Sequence, residues 1–158
     1  MSDLMTKVVT GDVGSMDADH RLIIPASVRD ALEWFPQKKK AKPFPLIADL
    51  RDSGLIRLYP AERARPQLDA TRQRLLTGHS EPLQALAAFA DRYRELTYYS
   101  SDSRLHCGAA IGWHLRSASE HPVEFYVEAL GDFIDVMTLE RRTARLRDLR
   151  ADLDLVDD

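Results

Sequence analysis

The sequence predicts an α+β, β-rich fold: two tandem copies of one strand–helix–hairpin–helix unit, interlocked as a single pseudo-two-fold barrel with helices outside. Three observations predict it. The first is internal repetition. MDADHRLIIPASVRDAL (16–32) matches YSSDSRLHCGAAIGWHL (99–115), with Arg21-Leu22 on Arg104-Leu105 and Leu32 on Leu115, 83 residues on. GLIRLYPAER (54–63) falls on DFIDVMTLER (132–141), 78 residues on, so one five-residue gap separates the two matches. It lies at the loop PQKKKAKPF (36–44). The second observation is the order of periodicities, which is the same in both copies. The third is size. A unit of about 75 residues has too little core to stand alone, so two should share one. The copies span residues 5–78 and 79–155, the second the more degenerate.

In the first copy, Lys7-Val8-Val9-Thr10 is β-prone and Gly11-Asp12 reads as a bend. Asp17-Ala18-Asp19-His20 has turn chemistry, and Arg21-Leu22-Ile23-Ile24 reads as a short strand. Pro25 suits the first position of a helix running from Ala26 to Trp34, with Val28, Ala31 and Leu32 as its apolar positions. After the lysine-rich loop, Pro45–Leu50 and Leu55–Tyr59 read as a hairpin turning at Arg51-Asp52-Ser53-Gly54. Pro60 opens a longer helix to about Leu76, closed by Gly78.

The second copy opens with an additional helix, Glu81 to Tyr93, whose Leu83, Leu86, Ala87 and Ala90 share a face. Strands at Glu95–Tyr99 and Leu105–Cys107 follow, then a short helix over Ala109–Arg116. Val123–Ala129 and Phe133–Met137 form a hairpin turning at Gly131-Asp132. The last helix, Leu139 to about Leu153, is charged on most faces and has one apolar stripe: Leu139, Leu146, Leu149 and Leu153. It is either solvated or a subunit contact.

Of the 158 residues 44% are apolar, enough for a core, and 30% are charged. The net charge of −3 supplies no global field toward nucleic acid, so an anion-binding surface must be a local patch or arise on oligomerisation. Cys107 is the single cysteine and reads as a small buried hydrophobe. MSDLMTKVVT lacks the apolar run of a signal peptide, and no run approaches the roughly 20 residues of a membrane span. The chain reads as soluble and cytosolic.

The run Asp17-Ala18-Asp19-His20-Arg21-Leu22-Ile23-Ile24-Pro25 resembles the D-x-x-x-R-L-x-[IV]-P segment of the MraZ family. Leu55-Ile56-Arg57-Leu58-Tyr59-Pro60, Leu75-Leu76 and Gly78-His79 extend the resemblance over nearly the whole chain. That family is a tandem form of the swapped-hairpin AbrB/SpoVT fold, a double-split β-barrel. The resemblance implies a bacterial DNA-binding transcriptional regulator of the division and cell-wall gene cluster. Such proteins form homo-oligomeric rings and bind direct repeats of double-stranded promoter DNA, which places them at the nucleoid.

Residue chemistry agrees in part. An arginine that opens a strand just after a turn projects a planar fork, fit for phosphate oxygens or guanine O6/N7. Arg21 is therefore the first candidate DNA contact. Asp17 positions it and Pro25 sets the helix behind it. The other reading of Asp17 and Arg21 is an ion pair that only closes the turn. The family pattern D-x-K-G-R meets Asp19 and His20 here. Asp19 puts negative charge where phosphate would lie, and His20 adds a donor that is charged only in acid. In the second copy Ser100 replaces the aspartate, Gly108 the proline and Gly112 the arginine equivalent to Arg29, leaving Arg104 as its contact. Arg29 lies one helical turn beyond Pro25. Lys38, Lys39 and Lys40 are a phosphate-touching arm or a solvated loop. Arg57 lies on a strand where alternation assigns no face, and Arg63, Arg65, Arg72 and Arg74 read as surface pairs.

Enzyme chemistry has no foothold. The five histidines show no H-x-x-x-H or H-E-x-x-H spacing, and no phosphate-cradling glycine motif or G-x-S-x-G occurs. No catalytic residue, metal, cofactor, membrane or small-molecule substrate is expected. Two functions remain: the ring-forming regulator, and an oligomeric interaction scaffold on the same fold with weak or lost DNA binding. An AbrB-type antitoxin is a third, disfavoured by the two copies.

Overall fold

The structure, a computed structural model, describes residues 10–36, 42–52, 54–115 and 123–153. The first half of the chain forms β1 (Thr10–Met16), β2 (Arg21–Ile23), α1 (Ala26–Ala31), β3 (Phe44–Leu50), β4 (Leu55–Pro60) and α2 (Ala61–Gly78). The second forms α3 (Pro82–Arg92), β5 (Tyr93–Tyr99), β6 (Arg104–His106), α4 (Gly108–His114), β7 (Val123–Ala129), β8 (Ile134–Thr138) and α5 (Leu139–Asp152). The fold is α+β. Its eight strands close into one antiparallel barrel in the order β1-β2-β6-β5-β3-β4-β8-β7, so no strand is left as an edge.

Exchanging β1–β4 with β5–β8, strand for strand, leaves every neighbour relation of this barrel unchanged. Two pairs join the halves at positions that the internal alignment superposes. Leu22 faces Leu105 across β2–β6, and Arg57 faces Asp135 across β4–β8. The core fills the barrel with Met16, Leu22, Tyr98, Leu105, Phe125 and Ile134, all at most 1% exposed. Burial on this scale is the main force on the fold, at about 1.5–3 kcal/mol for each large apolar side chain.

Local chemistry explains most element boundaries. Gly54, at φ 84°, makes the tight β3–β4 turn that a residue with a Cβ enters only under strain. Pro60 caps the start of α2 with φ −59°, and Thr138 caps α5 by accepting the Arg141 amide at 3.1 Å.

Three expectations change. Gly11-Asp12 is no bend, because β1 runs straight through it in register with Glu128 and Val127. A Cβ at residue 11 would run into the Tyr126 ring, so the glycine is there for close approach rather than for a turn. The first helix is shorter than Ala26–Trp34. Pro25 stands just outside it as the cap, and Leu32 turns extended, which lets Leu32 and Phe35 each bury to 2% exposure. The turn before β6 is also one residue longer than its counterpart. Met16 pairs with Leu22, six residues on, whereas Tyr98 pairs with Leu105, seven residues on. Lys38, Lys39 and Lys40 lie outside the described residues.

Candidate nucleic-acid interface

β2 and β6 are three residues each and lie side by side, with Leu22 and Leu105 fully buried beneath them. Strand alternation then turns Arg21, Ile23, Arg104 and His106 outward on one ribbon. The register sets Arg21 opposite His106 and Ile23 opposite Arg104. The two predicted arginines therefore share one small surface, although 83 residues separate them in the chain.

The first turn holds Arg21 tightly. Asp17 Oδ1 accepts the amides of Asp19 (2.9 Å) and Arg21 (3.0 Å), and its Oδ2 accepts Arg21 Nε at 2.9 Å. Arg21 Nη2 also reaches Asp19 Oδ2 at 3.3 Å. Burial works against ionising Asp17. It is outweighed by the two amides and the guanidinium, which hold the carboxyl below its ordinary pKa. Asp17 thus closes the turn and orients Arg21 at once, and Asp19 adds a second neutralising charge. His20 sits at φ 60°, in the left-handed region, and its carbonyl accepts the Cys107 amide at 2.9 Å. That bond ties the first turn to the start of α4.

The second turn is built alike with different atoms. Ser103 takes the left-handed position at φ 57°, and Asp102 Oδ1 accepts the Arg104 amide at 3.0 Å. Asp102 Oδ2 lies 3.3 Å from His106 Nε2, and the Tyr99 ring meets the His106 ring edge-on at 4.5 Å. Among the described residues the Arg104 guanidinium has no ion pair, in contrast to Arg21. The copy that reads as the more decayed thus offers the freer arginine.

Of the remaining candidates, Arg29 turns back on its own segment, donating Nε to the Ile24 carbonyl at 3.0 Å. Pro25 accepts the Val28 and Arg29 amides through its carbonyl and so starts α1. Cys107 is 6% exposed, and burial pushes its thiol pKa up to about 12, leaving it unreactive. Arg63, Arg65 and Arg72 pair with Asp132, Glu95 and Asp69 at the surface.

No family model and no curated protein matches the chain. Its function must therefore be argued from this surface. His106 and Ile23 belong to the ribbon but were not among the predicted contacts. Their signal was available in the alignment, which superposes Ile23 on His106. What was missing was the antiparallel pairing that sets β2 against β6. The ribbon carries two arginines against Asp17, Asp19 and Asp102, so it is not a cationic patch. Among the described residues no three His, Cys, Asp or Glu side chains form a metal cluster, and no helix is long and apolar enough to cross a membrane.

Proposed function

We propose that the protein is a divergent regulator of the MraZ kind, which meets promoter DNA through the β2–β6 ribbon. In this reading the chain is a tandem pair of one unit forming a swapped-hairpin barrel. The unchanged neighbour relations on exchanging the halves support that part. The observation that carries the function is that Arg21 and Arg104 stand on one exposed ribbon, each just after a turn whose aspartate grips the arginine's own amide. Such turns aim a charged fork from rigid backbone, which base or phosphate recognition requires. One ribbon with two arginines is a weak site. A ring-like homo-oligomer would link several such sites along spaced repeats and multiply their affinity. The protein would then act in the bacterial cytoplasm, at the nucleoid.

One observation favours the second reading, an oligomeric scaffold with weak or lost DNA affinity. With Asp17, Asp19 and Asp102 beside its two arginines the ribbon has no net positive charge, and non-specific binding is chiefly charge neutralisation. Fluorescence anisotropy with DNA from upstream of the protein's own gene, over a salt series, separates the two. The regulator binds with a steep salt dependence, Arg104→Ala and Arg21→Ala weaken it several-fold, and Asp19→Asn strengthens it. Binding that is absent at low salt, or indifferent to both arginines, leaves the scaffold.

A further inference from the structure

α2 packs on β3 and β4 without filling the space beneath it. Ala64, Leu68 and Thr71 follow one face of the helix and are half-buried, and Ala61 alone is fully buried. The barrel wall opposite presents Ile47 and Asp49 of β3, Tyr59 of β4 and Tyr93 of β5. The register sets Ile47 beside Tyr59 and Asp49 beside Tyr93. Short side chains at positions 64 and 71 leave a cavity of about 400 Å³ between helix and wall. Small-molecule sites run from about 300 to 1,000 Å³, mostly apolar and aromatic with a few polar groups, as here. None of these lining residues lies within three positions of an undescribed one. The polar groups divide by what they already hold. Asp49 is 3% exposed, and its carboxylate is satisfied: Oδ1 accepts Arg92 Nε at 2.8 Å, and Oδ2 accepts Arg92 Nη2 and Arg51 Nη1, both at 3.3 Å. The Thr71 hydroxyl donates to the Gln67 carbonyl at 3.0 Å. The loosely held charges are Arg63 of α2 and Asp132 of the β7–β8 turn. They share one long bond, Nη1 to Oδ1 at 3.4 Å, and their side chains are 58% and 88% exposed. An exposed pair of this kind opens at little cost.

We propose that this cavity binds a free aromatic α-amino acid. The ligand's ring enters between α2 and the rings of Tyr59 and Tyr93, where aromatic contacts add to apolar burial. Its carboxylate takes the Arg63 guanidinium and its ammonium takes the Asp132 carboxylate. Charge selects the zwitterion. A ligand with a single charge satisfies one member of the pair and strands the other, whereas a zwitterion replaces one long bond with two charge-assisted ones. The site draws on both halves of the chain: α2, β3 and β4 come from the first, and Tyr93 and Asp132 from the second. A bound amino acid therefore ties α2 to the β7–β8 turn. None of these residues belongs to the β2–β6 ribbon, so the site does not depend on DNA binding.

Isothermal titration calorimetry on the full chain tests it with L-phenylalanine and two analogues, 3-phenylpropionate without the ammonium and phenethylamine without the carboxylate. L-phenylalanine should bind, and each analogue should bind about ten-fold more weakly. Arg63→Ala should lower the affinity for L-phenylalanine to that for phenethylamine, and Asp132→Asn to that for 3-phenylpropionate. Both positions are exposed, and circular dichroism establishes that the variants fold. Ala64→Trp should abolish binding by filling the cavity. No binding of L-phenylalanine by the wild type overturns the proposal. An analogue that binds as tightly as L-phenylalanine overturns the choice of a zwitterion. Binding that survives both Arg63→Ala and Asp132→Asn unchanged places the amino acid elsewhere and overturns the site. Each of these results leaves the reading of the β2–β6 ribbon untouched.

Discussion

Arg57 and Asp135 face one another in register across β4 and β8, with the guanidinium donating to both carboxylate oxygens, Nε at 2.8 Å and Nη2 at 3.1 Å. They are also residues that the internal alignment superposes, 78 positions apart. A position that meets its own counterpart across a two-fold axis sets like against like when the two copies are identical. Here the two aligned positions differ, and an arginine meets an aspartate. Asp135 is fully buried and accepts a further bond from Arg145 Nη2 at 3.2 Å, while Arg57 stacks on Phe133 at 3.9 Å.

Removing one partner should therefore leave a buried charge short of compensation. Arg57→Met is expected to cost about 3 kcal/mol, and combining it with Asp135→Leu should cost less than the two single changes added together. Reversing the pair, Arg57→Asp with Asp135→Arg, should not restore stability, because Arg145 would then face a like charge. Urea unfolding of the four variants measures this, and a loss of under about 0.5 kcal/mol for Arg57→Met contradicts it.

The left-handed turn positions make a second expectation. His20 and Ser103 hold φ values of 60° and 57°, where a side chain with a Cβ is strained. His20→Gly should raise stability by up to about 1 kcal/mol, and Ser103→Gly should shift it in the same direction. The gain is read as a higher urea midpoint with an unchanged slope. A lower midpoint for both variants refutes the strain argument.

Asp17 sets a dependence on pH. Its carboxyl lies below the ordinary value of 3.8 in the folded chain, so the unfolded chain takes up a proton first as the pH falls. Its contribution is whole above that ordinary value and disappears as the pH drops through the lowered folded one. Asp17→Asn should lose about 1 kcal/mol at neutral pH, and the gap to wild type should close below about pH 4. Glu128 has the opposite sign. Burial raises its pKa against the pull of Arg145, so it weakens the fold as the pH rises through that raised value. Thermal melts of Asp17→Asn and Glu128→Gln across the pH range should show gaps to wild type of opposite sign that both narrow toward acid.

Much of the element order was legible because it is written in local chemistry. Gly54 and the turn residues before it mark the β3–β4 hairpin, Pro60 marks the start of α2, and alternation about Leu22 and Leu105 marks two short strands. The failures were local too, but with non-local causes. Gly11 reads as a bend until the Tyr126 ring is set over it. Trp34 reads as helical until burial of Leu32 and Phe35 pulls the chain out of α1.

By itself the sequence determined that the chain holds two similar stretches, that Arg21 opens and Arg104 directly precedes a short strand, and that a single core has to serve both halves. Those facts depend on neighbours a few residues apart and on a countable spacing. Only the tertiary structure decided that β2 lies against β6, that Arg57 meets Asp135, and that Arg21 is neutralised by two aspartates while Arg104 is free of any ion pair among the described residues. Such outcomes rest on contacts between residues about 80 positions apart and on the directions of single side chains. Strand alternation repeats every two residues and carries no information about which strand will be the neighbour.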